Sequence, residues 1–337
     1  MRPVRLLSLV PLLALACAGQ AMAWGSTGHR WIGRAAIEAL PPELPAFVRG
    51  PAMARALGEL SREPDRSRGA GKAHDADRDP GHFVDGGDDG RIAGGPLLAA
   101  LPPTRDDYET ALRAAGTSSW KMGYLPYSIV EDWQQLTKDF AYWRADDAGA
   151  RLTRDPAHRA WLEADRVTRE ALIEADLGAL SHFVGDGSMP LHASIHFNGW
   201  GPFPNPQGYT AAKVHVPWEG AYVRAAIPYG AVTQRLRPFQ DCGCPIEQRV
   251  GAYLAGDLAT VVPFYELEKA GAFKPDDPRG SDFTAARLAA GATELRDEIV
   301  LAWRASAHGK VGYQPELSVA DVESGAVDPY DSLIGPD

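Results

Sequence analysis

Residues 181–192 read S-H-F-V-G-D-G-S-M-P-L-H, and the rest of the chain is organised around them. His182 and Asp186 stand four apart in a segment with a helical pattern, so both side chains leave the same face. Pro190 ends that helix, and His192 follows in the exit turn. Two imidazoles and a carboxylate at one helix end are good ligands for zinc. A helix C-terminus with a capping histidine would contain the same residues.

A second pair of possible ligands favours the metal interpretation. His215 and Glu219 are again four apart, in the segment V-H-V-P-W-E at 214–219. Of the nine histidines, context favours five as ligands: His29, His82, His182, His192 and His215. The other four histidines are expected to lie outside the site: His74, His158, His196 and His308. Of these, His196 is a plausible substitute ligand, and His74 is an alternative to His82.

The composition is that of a globular protein of one large domain or two small ones. The chain has 337 residues, of which 23% are charged, and its net charge is −10. This charge argues against an extended basic face for duplex DNA. It does not exclude nucleic acid as a ligand, because bound zinc ions would supply local positive charge.

Residues 1–23 have the pattern of a cleaved signal peptide. Arg2 and Arg5 precede an apolar run at 6–18, and Ala-Met-Ala at 21–23 is a cleavage site, so mature protein would begin at Trp24. The apolar run is too short for a membrane span. We therefore predict a secreted or periplasmic protein. The two cysteines left after cleavage are expected to form either a free pair or a tight local bridge: Cys242 and Cys244.

Hydrophobic periodicity predicts an all-α fold in one domain, because strand signals are scarce. The longest predicted helix begins at an Asp155 N-cap followed by proline and runs through Phe183, which delivers His182 and Asp186 at its C-terminal end. Residues 61–106 are predicted to form long functional loops. Further helices are predicted at 31–40, 106–115, 129–144, 245–270 and 281–307, within a domain spanning 24–312 and followed by a loosely ordered tail at 313–337.

The candidate ligands, taken in chain order, resemble those of the S1/P1 nucleases and the bacterial zinc-dependent phospholipases C. The resemblance extends from Trp24 to about Arg224, and it implies the all-α, single-domain orthogonal helix bundle of that superfamily. It also implies three Zn²⁺. The first zinc would be held by Trp24, through its free α-amine and carbonyl, and by His29. The second zinc would be held by Asp65, His82 and His182, and Asp186 would bridge the first and second zinc ions. The third zinc would be held by His192, His215 and Glu219.

The resemblance also implies a mechanism, in which a zinc-bound hydroxide attacks phosphorus in line. Asp65 would orient or deprotonate the attacking water, and Arg68 would bind the phosphate. Asp85 would hydrogen-bond a nucleobase, with Phe83 as a stacking candidate. Asp85 could instead cap a loop or hydrogen-bond a ligand histidine, and Phe83 could be a core side chain.

The resemblance divides between the two branches of the superfamily. Arg68, Asp85 and the Trp24-to-His29 spacing match the nucleases, whereas Glu219 and the segment 123–129 match the phospholipases. The first hypothesis is a hydrolase of single-stranded nucleic acid and nucleotides, monomeric and without a stable protein partner. The alternative is a phospholipase C acting on phospholipid head groups. The third hypothesis is a non-catalytic protein in which zinc only staples the fold.

Overall fold

The computed structural model describes residues 24–335, so the predicted signal peptide at 1–23 lies outside the described part of the chain. The described residues form one compact, mostly helical body, as the periodicity predicts. Its α-helices are α1 Gly25–Glu38, α2 Pro51–Leu60, α3 Glu63–Arg66, α4 Lys72–Arg78, α5 Arg105–Ala114, α6 Ser119–Met122, α7 Leu125–Leu152, α8 Pro156–Gly187, α9 Val223–Ala226, α10 Tyr229–Thr233, α11 Ile246–Leu258, α12 Val261–Lys269, α13 Pro278–Ser306, α14 Val319–Glu323 and α15 Tyr330–Ile334. Strands β1 Lys310–Val311 and β2 Leu317–Ser318 pair antiparallel.

Two long helices, α7 and α8, pack along each other, and α1 and α13 pack against them. The N-cap of α8 is the predicted one, because the Asp155 carboxylate accepts hydrogen bonds from the backbone N–H groups of Ala157 and His158. The helix ends at Gly187, and a short 3₁₀ turn at Pro190–His192 follows it. The end of α8 therefore lies among the packed helices, with His182 and Asp186 fully buried.

Small residues let α1 approach the helices around it. A Cβ on Gly33 would lie 3.0 Å from Oγ of Ser181 and 3.2 Å from Leu57. A Cβ on Gly185 of α8 would lie 3.0 Å from Nδ1 of His29. This close packing places the His29 ring directly against the end of α8.

The single helix predicted at 245–270 is in fact two helices, α11 and α12, separated at Ala259 and Thr260. Pro263 explains the break. It has no N–H for the carbonyl of residue 259, and its ring would clash with that carbonyl in a continuous helix. In the third position of α12 it is tolerated. In the loop just before α11, Cys242 and Cys244 form a disulfide, which is one of the two expected states.

The segment predicted as a loosely ordered tail contains regular structure over its described residues. Strand β2 pairs with β1, and α14 packs on α7. Val311, Val319 and Val322 are buried in a small apolar cluster with alanines of α7. The tail carries apolar residues at helical spacing, and the small side chains of α7 leave room for them.

The predicted loops at 61–106 contain more regular structure than expected, namely α3, α4 and 3₁₀ turns at Asp79–His82 and Leu98–Ala100. These short elements hold Asp65 and His82 near the end of α8. Within residues 24–335, no helix is both long and apolar enough to cross a membrane.

Candidate metal centre

Three groups of ligand atoms lie together in the interior, each with its donor atoms within 4.8 Å of one another. They contain every candidate histidine and carboxylate of the predicted ligand set. The groups are His29, His182 and Asp186; Asp65, His82 and His182; and His192, His215 and Glu219. Several metal ions could therefore be held in this part of the molecule.

The end of α8 supplies the centre of the first two groups. Nε2 of His182 lies 3.3 Å from Oδ2 of Asp186, across one helical turn. The His29 ring of α1 stacks on the His182 ring, with centroids 4.4 Å apart and planes 17° apart. The absence of a side chain at Gly185 makes room for this ring.

The carboxylate of Asp186 is placed to bridge two neighbouring metal positions, because its two oxygens face different imidazoles. Oδ1 lies 3.4 Å from Nε2 of His29, while Oδ2 lies 3.2 Å from Nδ1 of His82. Burial acts to raise the pKa of Asp186. The charge and hydrogen bonds of His182, together with His82, outweigh burial and hold that pKa well below its ordinary value. The carboxylate is thus ionised, as a bridging ligand must be.

Backbone carbonyls fix the orientation of three ligand histidines. Nδ1 of His182 donates to the carbonyl of Ser61 at 2.9 Å. Nδ1 of His192 donates to the carbonyl of His82 at 2.5 Å, and Nδ1 of His215 donates to that of Phe197 at 2.8 Å. In the neutral form, each ring then turns the lone pair of Nε2 toward its ligand group.

The third group has the chemistry of an open cation site. Nε2 of His192 lies 3.0 Å from Nε2 of His215, which in turn lies 3.1 Å from Oε2 of Glu219. Two lone pairs and a carboxylate repel one another unless a cation lies between them. Donors bound tetrahedrally to zinc at about 2.0–2.1 Å lie roughly 3.3 Å apart, close to these separations. Burial lowers the pKa of His192 to about 3, which keeps this imidazole neutral and able to bind a metal.

Glu219 is carried by a π-helical turn, Pro217–Tyr222. Such turns are rare and are frequent at functional sites. Trp218 beside it is buried, and its indole N–H donates to Oγ1 of Thr284 at 3.0 Å. This hydrogen bond fixes the turn, which places Glu219 one helical turn after His215.

Asp65 and Arg68, the two predicted catalytic residues, lie together at the second group. Nη1 of Arg68 is 3.4 Å from Oδ1 of Asp65, and Nε of Arg68 donates to Oδ1 of Asp79 at 2.9 Å. Burial acts to lower the pKa of Arg68, but the carboxylates of Asp79 and Asp65 raise it overall. Asp79 was not predicted as a site residue, because nothing in its sequence context separates it from other loop aspartates.

Phe83 and Asp85, the predicted substrate-binding residues, belong to none of the three groups. Both are partly buried. Burial raises the pKa of Asp85 to about 7. Gly123 explains their placement, since its φ is +81° and a Cβ there would lie 1.9 Å from the carbonyl oxygen of Phe83.

Trp24 is fully buried between the two segments that carry the ligands. Its indole N–H donates to Oγ of Ser188 at 2.7 Å, and its ring centroid lies 5.0 Å from that of Trp218. Ser188 follows Asp186 by two residues, and Trp218 precedes Glu219. The segment whose removal would free the Trp24 amine lies outside the described residues.

The four histidines set aside in the sequence analysis lie outside all three groups. His196, the possible substitute, is instead fixed by hydrogen bonds to Asp88 and to the carbonyl of Trp200, and it stacks on the Trp200 ring with centroids 3.7 Å apart. Phe197, which sequence reasoning missed, is 51% exposed beside His215. No sequence signal marks it, because its contact with His215 is made by a backbone carbonyl.

Comparisons with protein-family models, with curated proteins and with solved structures found no match to this chain.

Proposed function

We propose that the protein is a zinc-dependent phosphodiesterase with a fold of the phospholipase C/P1 nuclease type. It would hold three Zn²⁺ and hydrolyse phosphate esters of single-stranded nucleic acid and nucleotides. The observation that carries this proposal is the adjacency of the three ligand groups, two of which share His182. Adjacent ions can act on the attacking and leaving oxygens of the same phosphoryl group.

The donor set supports zinc. It consists of imidazoles and carboxylates without cysteine, whereas closed structural zinc sites are usually rich in cysteine. The third group offers three protein donors, which is the number typical of a catalytic zinc with an open position. Zinc ions bound in these groups would act as Lewis acids and lower the pKa of a water molecule.

The protein side chains supply the remaining functions. Asp65 is placed to orient the attacking water or to accept its proton. Arg68 is held by Asp79 through Nε, and its raised pKa keeps the guanidinium charged at every working pH. This guanidinium would bind the phosphate oxygens beside the second group and stabilise the charge that develops on them.

Two features support nucleic acid as the substrate. Arg68 provides a phosphate contact, and Asp85 with Phe83 provides a polar group and a ring of the kind that holds a base. One observation favours the alternative of a phospholipase C. Phe197 and Val216, which are 51% and 42% exposed, flank His215 and could contact lipid chains. A non-catalytic zinc protein, the third hypothesis, would not need an open position at the third ligand group.

The test is a side-by-side assay of purified mature protein with metal analysis. We expect about three zinc ions per chain and hydrolysis of single-stranded DNA, RNA and a 3′-nucleotide. Hydrolysis of phosphatidylcholine with none of the nucleic acids would support the alternative instead. Zinc without hydrolysis of any phosphoester would support the third hypothesis. Export to the periplasm or medium would be accompanied by removal of residues 1–23. N-terminal sequencing of the exported protein checks this.

A further inference from the structure

A cavity of about 420 Å³ opens directly beside the metal groups, and His82 forms part of its wall. Its other lining residues include Arg78, Arg105, Tyr124 and Asp132. None of these four belongs to the predicted site. A molecule bound in this cavity would touch the same histidine that contributes to the second ligand group.

An aromatic and cationic platform adjoins the cavity, because Tyr124 and Arg105 line the cavity and Trp120 lies next to both. The Trp120 ring is 47% exposed and its centroid lies 6.0 Å from that of Tyr124. The guanidinium of Arg105 lies 4.0 Å from the Tyr124 centroid and 5.8 Å from that of Trp120. Bases of single-stranded nucleic acid stack on surfaces of this kind, in which an exposed indole lies beside a guanidinium.

The two arginines of the cavity differ in their surroundings. Arg105 is paired with Glu131 at 3.2 Å. Arg78 is exposed at the end of α4 and makes no ion pair within residues 24–335. Its charge is therefore available to an anion that enters the cavity.

The wall of the cavity also includes a buried carboxyl oxygen of Asp132. Oδ2 of Asp132 is buried, and among the described residues no group hydrogen-bonds to it. A buried acceptor without a donor is unfavourable, so a ligand that offers N–H or O–H gains by filling the cavity. Nucleosides carry such groups.

We propose that this cavity and the Trp120 platform bind the nucleotide next to the scissile phosphate of a single-stranded polynucleotide. Arg78 binds the neighbouring phosphate, the base stacks on Trp120, and Asp132 accepts a hydrogen bond from the nucleoside. The assignment rests on the proposed phosphodiesterase activity and adds a preference for single-stranded chains longer than one phosphodiester over nucleotides and small diesters. It also explains the Gly-Tyr segment at 123–124, because Gly123 and Tyr124 hold the platform against the loop that leads into His82.

The experiment compares two substrates in the zinc-loaded protein: a single-stranded oligonucleotide of about ten nucleotides and bis(p-nitrophenyl) phosphate. In Trp120→Ala, KM for the oligonucleotide should rise about tenfold, the effect of losing one stacked base. KM for the small diester should not change. Trp120→Phe should retain most of the oligonucleotide affinity. Lys121→Ala, an exposed neighbour of Trp120, is the matched control and should behave as the wild type.

Arg78→Ala tests the phosphate contact. KM for the oligonucleotide should rise, and the slope of log KM against log salt concentration should become shallower by about 0.7, the value for one phosphate of a single strand. An unchanged oligonucleotide KM in both Trp120→Ala and Arg78→Ala would overturn the proposal. So would an equal rise for the small diester, which would indicate damage to the metal groups instead.

A binding measurement separates this proposal from the proposed function. Fluorescence anisotropy of a labelled phosphorothioate oligonucleotide reports binding without hydrolysis. Binding that depends on Trp120 and Arg78, in a protein that cleaves no nucleic acid, would reject the activity and keep the binding site. Cleavage of oligonucleotides with no dependence on either residue would keep the activity and reject the binding site. The absence of both cleavage and binding would reject both.

Discussion

Asp186 lies at the centre of the candidate site, among the imidazoles of the first two ligand groups. Its two carboxylate oxygens face His29 on one side and His82 on the other, and it shares one helix face with His182. All of these side chains are nearly or fully buried. An ionised carboxylate at this depth is stable only with positive charge around it, either protonated imidazoles or metal ions.

Replacement of this one carboxylate should therefore remove metal and activity together. In Asp186→Asn we expect a loss of at least one zinc and a fall in activity of at least about 100-fold, beyond the 10–100-fold typical of outer-sphere partners. His308→Ala, which removes an exposed histidine outside the groups, is the control and should keep both. Zinc is measured by atomic emission and activity by turnover of a phosphodiester. Full activity in zinc-free Asp186→Asn protein would contradict the proposed site.

A second buried carboxylate, Asp146 of α7, predicts how stability depends on pH. Burial and the neighbouring Asp165 raise the pKa of Asp146 to about 8. The folded state thus keeps this proton over a range in which the unfolded chain, with a pKa near 3.8, releases it. The contribution of Asp146 to stability must fall as pH rises from about 4 to about 8.

Asp146→Asn removes this titration. The melting temperature of the variant relative to wild type should increase steadily between pH 5 and pH 8, by thermal unfolding at fixed ionic strength. Asp276→Asn, at an exposed position, should show no such trend. A difference between Asp146→Asn and wild type that is constant across this pH range would contradict the raised pKa.

At the scale of elements, the sequence predicts what local chemistry determines. Asp155 and Pro156 specify the start of α8 through the N-cap, and periodic apolar residues specify its length. Pro263 makes the break at Thr260 predictable, but the apolar pattern on both sides of the break favours one continuous helix. The order of the tail was not predictable, because Val319 and Val322 need the small side chains of α7, which are remote in sequence.

The same distinction holds for the site. The ligand residues that the sequence predicts do come together in three groups. The carbonyls of Ser61, His82 and Phe197 that orient the histidines were not predictable, because a backbone carbonyl has no signature in sequence. Asp79 and Asp132 were missed for a related reason, since their importance depends on neighbours from other helices.

Packing between α1 and α8 gives a prediction for Gly185. Alanine in a helix interior is favoured over glycine by up to about 1 kcal/mol. At Gly185, however, the new Cβ would lie 3.0 Å from Nδ1 and 3.2 Å from Cε1 of His29. Gly185→Ala should displace the His29 ring and reduce the zinc content by about one ion, as measured by metal analysis of the purified protein.

Gly256→Ala on α11 is the matched control, because its Cβ would meet nothing within 4 Å. This variant should keep its zinc and gain stability, by roughly 0.5–1 kcal/mol. Wild-type zinc content in Gly185→Ala would show that the ring has room to move or that His29 is not a ligand.

At the scale of the whole molecule, the candidate centre is assembled from segments far apart in the chain. Helix α1, the turns around Asp65 and His82, the end of α8 and the turn carrying Glu219 all meet in one place. Trp24 joins these segments, because its buried indole contacts Ser188 and Trp218. If residues 1–23 are removed as the sequence predicts, the new N-terminus is the part where processing, folding and metal binding are expected to depend on one another.

The last prediction concerns this terminus and compares three forms of the protein: correctly processed at Trp24, one residue longer, and Trp24→Phe. A free α-amine has a pKa near 8, so zinc can displace its proton at neutral pH. One extra residue converts the amine into an amide, which is a poor ligand. The longer form should lose one zinc and most of its activity while keeping its helices by circular dichroism.

Trp24→Phe separates chelation from packing. Its amine and carbonyl remain, so its zinc content should be unchanged and much of its activity kept. It loses the indole hydrogen bond to Ser188 and part of the contact with Trp218, which should lower the free energy of unfolding by about 2–3 kcal/mol. Equal zinc content and turnover in the processed and longer forms would show that the terminus is not a ligand. The assignment would then fall back to two metal ions, because with His182 bound to the second zinc, His29 and Asp186 alone offer too few donors for a separate zinc.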